Sequence, residues 1–191
     1  DYRALRWEDH GNEPARTNHV QGIITQKFLT MERIFIVLVE DQREVLRAIA
    51  NDLQDFEDAF VVEECTSADE AWELLEKTDA EGDRVALIVS DHVMPKETGV
   101  DFLIRVNRDS RFKHTRKILL TGLATHQDTI QAINRAAIHR YIEKPWKKEN
   151  LVQISRALIT EFLLESGIDY TAFRPHLDQA TLLQYIQQMK A

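Results

Sequence analysis

Five side chains that could do chemistry stand at equivalent places in a repeating pattern. Glu40 and Asp41 follow the apolar run Ile34 to Val39, and Asp91 ends the run that begins at Val85. Thr121 closes KILLT, and Lys144 with Pro145 follows IHRYIE. Four separate segments thus offer three carboxylates, one hydroxyl and one ammonium. Taken singly, each has an ordinary explanation: an Asp at the end of an apolar run is usually a helix cap or turn former, and proline often opens a helix. The set is harder to dismiss, because three carboxylates brought together are costly. Two unit charges ~4 Å apart repel by about 4 kcal/mol at an effective dielectric near 20. Such a cluster requires a bound cation, a raised pKa or a catalytic role.

The elements between these residues predict where they meet. IFIVLV (Ile34 to Val39) is a β-branched strand, followed by a helix with Val45, Leu46, Ile49 and Leu53 on one face. FVVEEC (Phe60 to Cys65) is a second strand. A second helix starts with Ser67 as N-cap and Glu70 three residues on, the capping-box spacing. Val85 to Ser90 is a third strand, followed by a helix beginning GVDFLIRV. Lys117 to Thr121 is a fourth, with a helical pattern around Ile130 and Ile133. Ile138 to Glu143 is a fifth, with a long helix stopped by Gly167. Five β-then-α units with nearly continuous apolar strands predict an α/β fold, a parallel sheet with helices on both faces. In such sheets ligands bind at the C-terminal strand ends, where all five candidate residues fall.

These residues give the chain a resemblance to the receiver domains of two-component response regulators, covering roughly Glu32 to Leu164. VEDQ supplies the acidic pair Glu40 and Asp41. IVSDHVMPKETGVDFL resembles the phosphoacceptor segment, with Asp91 as acceptor and Gly99 opening the next helix. ILLTG supplies a switch threonine, Thr121; YIEKPW supplies Lys144; Tyr141 falls where the family has its switch aromatic. The resemblance implies a doubly wound, flavodoxin-like sheet of strand order 2-1-3-4-5. It implies that Asp91 accepts a phosphoryl group from a histidine kinase or phosphotransfer protein. It also implies Mg²⁺ on Asp41, Asp91 and the Val93 backbone carbonyl, with Glu40 acting through water. Lys144 would pair with the phosphoryl oxygens. Thr121 would turn toward them, and Tyr141 would move into the freed space, altering the surface of the fourth helix, fifth strand and fifth helix. Val93 and Leu123 would border the approach of hydrolytic water.

Two other functions fit parts of this pattern. A haloacid-dehalogenase-type phosphatase also uses Asp, Thr, Lys and Mg²⁺, but needs a carboxylate two residues after its nucleophile. Val93 stands there and cannot transfer a proton. A degenerate receiver serving only as a docking module is opposed by the complete residue set. The resemblance therefore implies a phosphoacceptor signalling domain, self-catalysed in phosphorylation and dephosphorylation, and not an enzyme acting on other substrates.

The 191 residues carry a net charge of −8, with 43% hydrophobic and 29% charged residues. That excess of acid argues against a broad nucleic-acid surface. One cysteine, Cys65, excludes an internal disulfide and suits a reducing compartment. No apolar run approaches the ~20 residues of a membrane span, and the cytoplasm is expected. Zinc is not expected of seven scattered histidines, and Trp72 is expected to pack between helix and sheet. Three segments are expected: an N-terminal extension over 1–31, either native or vector-derived; a receiver over 32–166; and a linker with a short amphipathic helix over 167–191. The last carries a stripe of Leu182, Tyr185, Ile186 and Met189 that could cover its own domain, pair with a second copy or lead into a further domain. The fifth predicted helix has two apolar stripes, Leu151, Ile154 and Leu158 on one and Val152, Ile159 and Leu163 on the other. A homodimer through the face of the fourth helix, fifth strand and fifth helix, or through the C-terminal helix, is therefore a further expectation.

Overall fold

The backbone alternation of β1 (Ile34–Val39) builds two cores at once. In the computed structural model, which describes residues 32–122 and 134–189, all six of its residues are buried. Ile34, Ile36 and Leu38 face one cluster; Phe35, Val37 and Val39 face the other. A strand with both faces covered needs no polar side, which is why this run reads as continuously apolar. The sheet has five parallel strands in the order β2-β1-β3-β4-β5, with β2 at Val61–Cys65, β3 at Arg84–Asp91, β4 at Arg116–Thr121 and β5 at Arg140–Glu143. The predicted fold class and strand order are those observed. A register shift in the β1–β3 pairing leaves Ala86 as an extra residue, so Ala86 and Leu87 both reach the first cluster.

The described helices are numbered α1 to α5. α1 (Arg43–Leu53) contributes Leu46, Ile49 and Leu53 to the first cluster, together with Leu151, Leu158 and Phe162 of α4 (Lys148–Glu165). α2 (Ala68–Ala80) and α3 (Gly99–Arg108) cover the opposite face through Ala71, Leu75, Phe102, Leu103 and Val106. Burying one such Leu or Phe side chain contributes about 1.5–3 kcal/mol. The helical pattern around Ile130 and Ile133 lies outside the described residues, as do residues 1–31.

The predicted capping box forms in part. The Ser67 hydroxyl accepts from the Glu70 N–H at 3.2 Å, but the Glu70 carboxylate accepts from the Thr66 N–H at 2.6 Å, one residue upstream of the expected donor. Trp72 meets Phe112 edge-on at 6.1 Å and carries the Arg105 guanidinium 4.5 Å above its ring. Cys65 is buried, and burial pushes its thiol up to about 12.

The chain after Gly167 docks on its own domain. A 3₁₀ stretch, Tyr170–His176, stacks Phe173 on Phe60 at 5.1 Å, and Leu177 is buried in the first cluster. The Asp178 N–H donates to the buried Thr160 hydroxyl at 2.8 Å, and Arg156 donates to the Pro175 carbonyl at 3.2 Å. α5 (Gln179–Met189) packs on α4, with the Tyr185 hydroxyl donating to the Leu164 carbonyl at 3.3 Å. Of the predicted stripe, Leu182 packs against the core, whereas Ile186 and Met189 are exposed.

Candidate functional site

Parallel pairing carries the ends of β1, β3, β4 and β5 to one edge, and the five predicted residues converge there. Oxygens of Glu40, Asp41 and Asp91 all lie within 4.8 Å of one another. Asp91 is the last residue of β3 and only 4% exposed; Glu40 is fully buried. The Lys144 ammonium bridges them, 2.6 Å from Glu40 Oε2 and 2.6 Å from Asp91 Oδ1. Asp91 Oδ2 accepts from the Val93 N–H at 3.2 Å, and Glu40 Oε1 from the Gln42 N–H at 3.2 Å.

The electrostatics follow from burial. Burial pushes the Glu40 carboxyl up, the neighbouring Asp91 adds to this, and the Lys144 and Gln42 contacts oppose it. Burial alone would lower Lys144, but its bonds to Asp91 and Glu40 outweigh it and hold the ammonium above its usual range. Asp41 Oδ1 is buried with no hydrogen-bond partner among the described residues. An orphaned carboxylate oxygen beside two further carboxylates is a donor set suited to a hard divalent cation, which takes oxygen ligands only.

Lys144 is placed from two sides. Its N–H donates to the Thr121 carbonyl at 2.8 Å, and the following Lys144–Pro145 bond is cis. Two residues on, the Trp146 indole donates to Asp52 of α1 at 2.8 Å. Thr121 is 3% exposed, and Tyr141 on edge strand β5 is 57% exposed. Val93 is 59% exposed beside Asp91; Leu123 lies outside the described residues.

Three features were not legible as site residues. The Asp52–Trp146 bond joins positions 94 apart in sequence. Gly99 lies against the acceptor: a Cβ there would stand 1.7 Å from the Asp91 carbonyl oxygen. The third is His92, whose Nδ1 lies 3.0 Å from the Thr121 hydroxyl. The one available signal was its position directly after Asp91, since the register that sets Asp91 beside Leu120 brings the next residue beside Thr121.

Known proteins resemble this chain over most of the sheet. The family model described as "Response regulator receiver domain" matches residues 36–156. The chain is 31% identical over 150 residues to the hydrogenase transcriptional regulatory protein HoxA of Bradyrhizobium diazoefficiens, covering 74% of this chain but 28% of that regulator. It is 35% identical over 118 residues to the chemotaxis protein CheY1 of Helicobacter pylori, covering 61% of this chain and 89% of that protein. Among solved structures, the signal receiver domain of an HD domain-containing protein from Pseudomonas fluorescens is similar at a TM-score of 0.59 and 27% identity. That match spans 69% of this chain and 98% of the solved one. Five parallel strands in the order 2-1-3-4-5, an acidic edge and a family match over most of the sheet lead to one conclusion: this chain belongs to the response regulator receiver domains of two-component signalling.

Proposed function

We propose that Asp91 is the phosphoacceptor. The observation that carries this reading is the packing of Glu40, Asp41 and Asp91 within 4.8 Å, with one ammonium bridging two of them. A carboxylate oxygen of Asp91 attacks phosphorus. The bond from phosphorus to the partner's histidine nitrogen breaks, that nitrogen keeps the electron pair, and Asp91 becomes an acyl phosphate. The donor is a sensor histidine kinase or a phosphotransfer protein. Lys144, already 2.6 Å from Asp91 Oδ1, shifts its ammonium to the phosphoryl oxygens, where a compact charge offsets the added negative charge. The Val93 N–H holds Asp91 Oδ2 and fixes the carboxylate plane. Asp41 and Asp91, with the Val93 carbonyl and with Glu40 through water, would hold Mg²⁺, which supplies charge neutralisation at the acidic edge.

The output is a change of surface. Thr121 turns its hydroxyl to the phosphoryl group, and the exposed Tyr141 ring moves inward, remodelling the face around β5. That face is the surface for a downstream partner or a second copy. Leu177 in the first cluster and the Asp178–Thr160 bond lay the chain's own C-terminal segment on α4, while Ile186 and Met189 of α5 stay exposed as a second surface for such a partner.

Incubation with acetyl phosphate and Mg²⁺ should add one phosphoryl group by intact-mass measurement, and Asp91→Asn should abolish the gain. A folded wild-type protein of unchanged mass would overturn the reading and leave a docking module.

A further inference from the structure

We propose that His92 is a latch on the switch, a positioning residue that holds the Thr121 hydroxyl in the unphosphorylated arrangement. The inference rests on the phosphoacceptor reading and deepens it. The His92 backbone is tied on both sides: its N–H donates to the Leu120 carbonyl at 2.9 Å and its carbonyl accepts from the Gly99 N–H at 2.9 Å. The side chain therefore leaves a fixed point of the main chain and crosses from the end of β3 to the end of β4. There Nδ1 lies 3.0 Å from Oγ1 of Thr121, a residue only 3% exposed.

A threonine hydroxyl has one proton to donate. While it is given to His92 Nδ1 it is not available to a phosphoryl oxygen on Asp91, so the two arrangements compete. A phosphoryl group must then displace an existing bond before Thr121 can turn, and a ligand shifts such an equilibrium only by its differential affinity for the two states. The opposite arrangement, in which His92 donates and leaves the threonine proton pointing at Asp91, would make His92 a helper. The two have opposite signs in one experiment.

Beryllofluoride with Mg²⁺ serves as the phosphoryl probe, and its affinity is read by titration on the full chain. His92→Phe keeps a ring of similar size and removes the bond. Affinity should tighten about fivefold, the fold-change of one net hydrogen bond of about 1 kcal/mol. His92→Asn places a polar side-chain atom near the position of Nδ1 and should bind like wild type. In a Thr121→Ala background the His92→Phe effect should vanish, which a purely structural role of His92 would not produce. Unchanged or weakened affinity in His92→Phe, with wild type binding normally, overturns the latch alone. An effect that survives in Thr121→Ala overturns it too. Failure of wild type to bind beryllofluoride defeats the phosphoacceptor reading and the latch with it. Melting curves of each variant establish that the folded proteins are being compared.

Discussion

At the scale of single residues, the site works because close neighbours are forced into costly positions by the backbone. Glu40 is fully buried beside Asp91, and the Lys144 ammonium serves both. Gly99 is the quietest member. It opens α3 with its backbone against the Asp91 carbonyl, where an added Cβ would stand 1.7 Å from that oxygen and 2.8 Å from Ser90 Oγ. Replacing glycine by alanine within a helix normally gains up to about 1 kcal/mol. Here the clash is with main chain that cannot swing aside, and overpacking of this kind costs about 1–3 kcal/mol. Gly99→Ala should therefore lower the denaturant midpoint and slow phosphoryl acceptance by displacing Asp91. A variant as stable and as fast as wild type would show that the β3–α3 loop yields freely.

Elements settle how the C-terminal segment is used. α4 buries residues on two sides: Leu151, Leu158 and Phe162 join the first cluster, and the buried Thr160 hydroxyl accepts from Asp178. Leu177 reaches the same core, and Phe173 lies on Phe60 just ahead of β2. The segment thus closes the end of the core opposite the acidic edge. Leu177→Ala should destabilise the domain by about 2–4 kcal/mol, within the usual range for a buried Leu. The check is a urea midpoint that falls while phosphorylation of the folded fraction continues. No loss of stability would mean that the segment is an appendage.

For the whole molecule, one buried cation away from the site makes stability depend on pH. Lys117, at the start of β4, is buried with its ammonium donating to Asn107 Oδ1 at 3.1 Å. Burial, aided by Arg116, lowers it from an ordinary 10.5 to about 8. Between about pH 8 and 10.5 the unfolded chain holds a proton that the folded chain has released, so this group makes stability rise with pH across that window. Below pH 8 the full cost of the buried charge is present. Cys65 acts in the opposite sense, since its thiol stays protonated in the fold, so wild type must be compared with Lys117→Met. The melting temperature of the variant relative to wild type should decline as pH rises from 8 to 10. A constant difference would mean that Lys117 does not titrate in that range. The chain spans 28% and 24% of two hydrogenase transcriptional regulators and 52% of a Synechocystis response regulator, against 89% of the chemotaxis protein CheY1 of Helicobacter pylori. No described helix is long and apolar enough to cross a membrane.

The sequence by itself determined the fold class, because alternation, helical spacing and caps are local and each β-α unit repeats them. It also determined that Glu40, Asp41, Asp91, Thr121 and Lys144 share an edge, because a parallel sheet sends every strand's C-terminal end the same way. Tertiary structure alone decided which contacts cross between units. Lys144 bridges Glu40 and Asp91; Trp146 anchors to Asp52; Gly99 touches the Asp91 carbonyl; His92 meets Thr121. It also decided that the stripe beginning at Leu182 turns one end to α4 and leaves Ile186 and Met189 outside. The physical reason is distance: a hydrogen bond or a steric contact within about 3 Å depends on register and packing between segments far apart in the chain, 104 residues for Lys144 and Glu40. Hydrophobic periodicity fixes only which face a residue occupies.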